Sequence, residues 1–141
     1  MDNRYKPEVD VSPDETIKFL DDKIYAHNSA AIDKSDGNYF SRIIRDDLGR
    51  IIAGIAGWTW AGACEITHLW VEESVRKNGL GRILLDAAEA EAKIKGCQII
   101  LIRSYDFQAP FFYIKHGYKT EFIQNNFPEG HKYYFLTKKI I

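Results

Sequence analysis

The sequence predicts an α/β (α+β) domain built on a mixed, mainly antiparallel sheet of six to seven strands with helices on both faces. Three observations carry the prediction. Apolar stretches over 39–44, 51–60 and 64–71 alternate with tight turns and read as an antiparallel meander. A long amphipathic helix over 79–95 follows directly. After it comes the uninterrupted apolar run 98–102, which reads as a strand covered on both faces and parallel to the strand before the helix.

The 141 residues fit a single domain, 1–141, with enough chain for a real core. Hydrophobic residues at 45% and charged residues at 28% are ordinary globular usage and exclude disordered or collagen-like classes. Nineteen basic against 20 acidic residues give a net charge of -1, so there is no global basic field for a nucleic-acid partner; a compact anion held by local groups stays open. No N-terminal apolar run predicts export or a membrane partner, and Cys64 and Cys97 form no CxxC pair, so a cytoplasmic location is expected.

Taken in order, Val9 and Val11 between Pro7 and Pro13 read as an edge strand or an arm. Ser12-Pro13-Asp14-Glu15 then combines an N-cap, a proline at the first helical position and a capping-box glutamate. Ile17, Leu20, Ile24 and Tyr25 carry that helix over 13–26. From Ala26 to Asn38 there is little periodicity, which reads as a connector or as a loop on the substrate side. Asp46-Asp47-Leu48-Gly49 and Trp60-Ala61-Gly62-Ala63 make the meander turns.

In the helix over 79–95, Leu80, Ile83, Leu84, Ala87, Ala88 and Ile94 form the predicted apolar stripe. Glu89 with Lys93 and Glu91 with Lys95 are predicted as solvent-side i,i+4 pairs. Gln108 to His116 reads as a short helix ended by Gly117, and 118–124 with 133–138 as a closing hairpin.

The functional signal sits where the third strand meets the long helix. Glycines there let a backbone approach an anion, and the free amides of a helix start can donate to it. The phosphate loop GxxxxGK[ST] is absent, and the dinucleotide fingerprint fails because Leu84 stands where its third glycine belongs. What remains is Arg76-Lys77-Asn78-Gly79-Leu80-Gly81. Its bland alternative is a glycine-started helix flanked by surface cations.

This stretch resembles the acetyl-CoA signature of the GCN5-related N-acetyltransferases (GNAT), (Arg/Gln)-x-x-Gly-x-(Gly/Ala) directly after a strand. A second segment, Ala109-Pro110-Phe111-Phe112-Tyr113 leading to Gly117-Tyr118, resembles the family's later motif. The resemblance spans roughly 39–138 and implies an acyl-CoA N-acyltransferase fold, acetyl-CoA as co-substrate and no metal. It implies that Arg76, Lys77, Asn78, Gly79, Leu80, Gly81 and Arg82 hold the pyrophosphate. It further implies that the strand segment Leu69, Trp70, Val71 offers backbone groups to the pantetheine arm in strand-like pairing.

By the same resemblance Tyr113 is the general acid toward the departing sulfur, with a half-buried structural aromatic as its alternative. Glu65 matches a glutamate that some relatives use as base; His68 and a water chain stay open beside it. Strict alternation puts Glu65, Thr67, Leu69 and Val71 on one strand face, and Cys64, Ile66, His68 and Trp70 on the other. Asp106 departs from the asparagine many relatives carry, and no role is assigned to it. Trp58, Trp60 and Trp70 read as core aromatics or as an acceptor pocket.

The four histidines share no metal-ligand spacing and neither cysteine sits in a nucleophile motif, so direct transfer to a small-molecule or protein amine is expected. The rival classes are a non-catalytic acyl-CoA-binding sensor and a self-association domain. A homodimer is compatible with the enzyme and sensor readings and is not written in the sequence.

Overall fold

A computed structural model describes residues 4–141. The chain separates into one compact unit up to Ser35 and a second over Asp36–Ile141. The first unit is the helix α1, Pro13–Ile32, with Pro13 at its first turn. Ser12 is the N-cap, but its side chain makes no capping bond; its carbonyl accepts from Thr16 N at 3.1 Å.

The helix runs past the expected end near residue 26 because no proline or glycine interrupts Ala26–Ile32. It stops at Asp33, which turns left-handed at φ 53°. The connector or substrate-side loop read into 26–38 is therefore mostly helix. Val9 and Val11 form no strand.

The second unit is a six-stranded sheet in the order β1-β2-β3-β4-β6-β5. Its strands are β1 Asn38–Arg45, β2 Ile51–Trp60, β3 Ala63–Val71, β4 Ile99–Tyr105, β5 Lys119–Asn125 and β6 Lys132–Lys139. The first three form the expected antiparallel meander, β3 and β4 are parallel, and β6 pairs antiparallel with both β4 and β5. Between β3 and β4 lies the helix α2, Leu80–Ile94; after β4 comes the short helix α3, Pro110–Lys115.

The core is one cluster on one sheet face. Ile55, Ile66, Ile100, Ile102 and Leu136 meet Leu84, Leu85 and Ala88 of α2, all at 3% exposure or less. Each such large aliphatic side chain contributes about 1.5–3 kcal/mol on leaving water. Tyr113 of α3 joins the same cluster, and Ala109 N donates to Ser104 Oγ on that face. Within residues 36–141 both helices thus lie against one face. On β4, Ile100 and Ile102 are buried on that face, while Ile99 stays 38% exposed.

The buried stripe of α2 is Leu84, Leu85, Ala88 and Ala92; the expected members Ile83 and Ile94 are exposed. The predicted i,i+4 pairs give way to longer-range ones. Glu89 accepts from Lys138 Nζ at 2.9 Å and from Tyr118 OH at 3.0 Å, and Glu91 pairs with Arg42 at 3.1 Å. A bond across the fold secures α2 to β1 and β6, which neighbours along the helix cannot do.

Candidate active site

β3 and β4 pair only from Ala63 opposite Ile99 to Ile66 opposite Ile102. Beyond that rung β3 continues to Val71 and β4 to Tyr105 with no ladder between them. The divergence starts at a β-bulge. Gly57 of β2 faces Ile66, Ala56 faces His68, and Thr67 is the extra residue between them. A bulge bends its strand and increases its twist, turning the end of β3 away from β4. The resulting cleft of about 900 Å³ is walled by the two strand ends, the first turn of α2 and one side of α3.

The bulge also corrects the strand reading. Before Thr67 the core face holds Cys64 and Ile66; after it the core face holds Leu69 and Val71, while His68 and Trp70 join Glu65 on the opposite face. Trp70 is 50% exposed and lines the cleft. Trp58 and Trp60 are half-buried on that same opposite face of β2, outside the core cluster. Neither α2 nor α3 covers that face.

Glu65 is 8% exposed and its Oε2 accepts from Arg103 Nε at 3.0 Å and from the second Arg103 nitrogen at 2.8 Å. Its carboxylate is therefore committed to an ion pair at the root of the cleft, while Arg103 lines the wall. His68 does line the cleft. Its Nδ1 lies 2.7 Å from Thr67 Oγ1, which also reaches Ala56 O at 3.2 Å.

At the far end of the cleft Gly79 caps α2 at φ 79°, preceded by Lys77 at φ 68°. The first intrahelical bond is Ile83 N to Gly79 O at 3.1 Å, so the amides of Leu80, Gly81 and Arg82 have no acceptor within the helix. A Cβ at Gly79 would meet nothing within 4 Å, so glycine is required there by its dihedral. A Cβ at Gly81 would stand 3.4 Å from Phe112.

The two arginines differ. Arg76 Nε donates to Val71 O at 2.9 Å and so folds back on the strand end, occupying the carbonyl expected to serve a ligand. Arg82 is 72% exposed and only 3.9 Å from Asp86, its helix neighbour. The structure thus gathers Leu69, Trp70, Val71, Arg76, Lys77, Gly79, Leu80, Gly81 and Arg82 on the cleft wall, and leaves out Asn78, whose amide donates to Val75 O at 3.0 Å.

Tyr113 lines the cleft at 6% exposure, and burial pushes its phenol up to about 12. His116 holds the next turn with Nδ1 2.8 Å from Phe112 O. Asp106 stands apart from the cleft wall: its carboxylate accepts from Lys132 N at 2.9 Å and lies 3.0 Å from His131 Nδ1, tying the turn after β4 to the start of β6. Cys64 is buried and its thiol is pushed up to about 12 by that burial, which removes it as a nucleophile.

The sequence reading missed Arg103, Thr67 and Phe112 as parts of the site. For Thr67 a signal existed: Gly57 is a glycine inside a strand, which often marks a bulge or a close backbone approach. A Cβ there would sit 2.2 Å from Glu65 O.

Among the described residues no helix is long and apolar enough to cross a membrane, and no cluster of three or more His, Cys, Asp or Glu side chains is placed to hold a metal ion. Residues 36–120 match the acetyltransferase (GNAT) domain family. The chain is 33% identical over 98 residues to the blasticidin-S acetyltransferase of Streptomyces morookaense, covering 67% of this chain and 70% of that one. It is 31% identical over 109 residues to an acetyltransferase of Agrobacterium fabrum, covering 77% and 80%.

Its fold matches the crystal structure of an acetyltransferase from Bacillus cereus with a TM-score of 0.80 at 34% identity, over 96% of this chain and 97% of that one. An aminoglycoside 6'-N-acetyltransferase complexed with coenzyme A shares the fold at 22% identity, with a TM-score of 0.63 and 73% of each chain covered. With a splayed parallel strand pair, a glycine-capped helix start at the cleft and these relatives, the chain belongs to the GNAT acetyltransferase family.

Proposed function

We propose that this protein is an acetyl-CoA-dependent N-acetyltransferase that acetylates a primary amine of a small molecule or protein by direct attack. The observation that carries the reading is the cleft, with unbonded amides of a glycine-capped helix at one end and the Tyr113 phenol on its wall. The residues fit an acyl-CoA. Gly79 and Gly81 leave the first turn of α2 bare, and Arg82 supplies an exposed cation there. The unpaired edges of β3 and β4 suit an amide-bearing arm.

In the transfer a C–N bond forms as the C–S bond breaks, and a proton leaving the amine nitrogen ends on the sulfur. A phenol held near 12 keeps its own proton at neutral pH, so Tyr113 stabilises the departing thiolate by hydrogen-bond donation. The inert thiol of Cys64 supports direct transfer over an acyl-enzyme. Because relatives bear the names of blasticidin-S and aminoglycoside acetyltransferases, amine-bearing antibiotics are the acceptors to test first. A cytoplasmic location belongs to the same proposal, supported by two free, buried cysteines.

The test is calorimetric titration with acetyl-CoA and CoA, followed by thiol-release assays over an amine panel. Binding with acceptor-dependent thiol release is the expected result. No binding at millimolar concentration overturns the reading, and binding without thiol release for any amine points to a sensor.

A further inference from the structure

We propose that His68 is the general base of the transfer, acting through Nε2, and that Thr67 is the positioning residue that fixes its tautomer. This rests on the acetyltransferase reading above. Thr67 Oγ1 has one proton and two contacts: Ala56 O at 3.2 Å and His68 Nδ1 at 2.7 Å. A carbonyl only accepts, so for both contacts to be hydrogen bonds the hydroxyl proton must go to Ala56 O. The hydroxyl lone pairs then face Nδ1, and the 2.7 Å contact is a hydrogen bond only if Nδ1 carries the ring proton. A neutral imidazole has one N–H, so Nε2 is left with its lone pair, on a side chain that lines the cleft.

The bulge makes this possible. As the extra residue of β3, Thr67 lies beside Ala56 while His68 is turned onto the face of Glu65 and Trp70. Glu65, the other carboxylate or imidazole candidate on that face, has its carboxylate bonded twice to Arg103 and does not line the cleft. The step balances simply. The ammonium form of the acceptor gives one proton to Nε2 and the neutral amine attacks the thioester carbon; as the C–N bond forms the C–S bond breaks, the second proton lost by nitrogen ends on the departing sulfur, and the imidazolium returns its proton to solvent. The other charged or titratable groups of the cleft are Arg103 on β4, Arg76, Lys77 and Arg82 at the helix start, Tyr113 and Lys115 on α3, and His116 at its C-terminal cap.

Two measurements separate this proposal from the reading beneath it. In histidine-¹⁵N-labelled protein, long-range ¹H–¹⁵N spectra, assigned by the signal lost in His68→Gln, report the tautomer without any substrate. The expected pattern is Nδ1–H with unprotonated Nε2, moving toward Nε2–H in Thr67→Val and restored in Thr67→Ser. An Nε2–H ring in the unsubstituted protein overturns the proposal even if the protein is an active enzyme.

With an amine accepted in the thiol-release screen, His68→Gln is expected to lower kcat/KM by about 10²–10³ and to abolish the acid limb of its pH profile, with CoA affinity unchanged. Thr67→Val is expected to lower it roughly tenfold, the worth of one hydrogen bond. An intact acid limb in His68→Gln overturns the base role. Failure of every amine to release thiol overturns the transfer reading and the base role with it, and the spectra still judge the Thr67–His68 geometry.

Discussion

Arg103 holds the Glu65 carboxylate through two nitrogens, at 3.0 and 2.8 Å, next to the rung where β3 and β4 stop pairing. The pair is asymmetric: the glutamate side chain is 11% exposed and the arginine side chain 44%. Removing the cation therefore strands a nearly buried carboxylate. Arg103→Leu is expected to lower unfolding stability by about 1–3 kcal/mol in urea titration, while Glu65→Gln, which keeps a neutral acceptor, costs about 1 kcal/mol. Equal losses for the two variants would show that the charge is solvated and the pair adds little.

Gly57 is where β2 touches the bulge. An added Cβ would lie 2.2 Å from Glu65 O and 3.0 Å from Phe40 Cζ, and the nearer clash is with backbone that has no rotamer to escape by. Gly57→Ala is expected to destabilise the protein by roughly 2–3 kcal/mol, read as a lower urea midpoint. The neighbouring Gly54 has its nearest contact at 3.5 Å, so Gly54→Ala serves as the mild comparison. Equal midpoints for the two variants would contradict the close approach.

The two glycines at the helix start are expected to separate. Gly79→Val places a β-branched side chain at φ 79°, a strain of about 1–3 kcal/mol, and puts bulk where the amides open. CoA affinity measured by calorimetry should fall at least tenfold. Gly81→Ala adds only a contact at 3.4 Å to Phe112 and a better helix former, so binding should change little. Unaltered binding in Gly79→Val would remove the pyrophosphate assignment.

Tyr113→Phe is expected to lower kcat about 10- to 100-fold with CoA affinity unchanged. It also has a signature in stability. The folded phenol is raised from 10.0 to about 12, so the folded state holds this proton more tightly than the unfolded chain. The contribution is fully present below pH 10 and is lost as pH rises from 10 to about 12. The alkaline fall in stability over that window should therefore be shallower in Tyr113→Phe, by about 2 kcal/mol. A superimposable alkaline limb would mean that the phenol is solvated when folded.

The site's local grammar was legible. A strand, an arginine, a glycine pair and a helix start are near neighbours in the chain, and the structure places Arg76, Gly79 and Gly81 together on the cleft wall. The parts that escaped are those set by distant partners. Glu89 was assigned to Lys93 by helical spacing and bonds to Lys138 and Tyr118, which only the sheet topology brings near. Asp106 had no reading at all, because its partners Lys132 and His131 come from another strand's start. The exposed position of His68 was hidden by a rule of strict alternation that holds only while every rung pairs one residue with one.

That rule fails at Thr67, and the consequence is one of parity. Because side chains alternate with a period of two, one supernumerary residue inverts the sidedness of everything after it up to the strand end. Removing Thr67 would not merely shorten β3 by 3.4 Å or so. It would make Ile66 opposite Gly57 and His68 opposite Ala56 consecutive rungs, keeping His68 and Trp70 outside and Leu69 and Val71 inside while losing the bend that turns the end of β3 away from β4, so the opening of the cleft depends on that one odd residue.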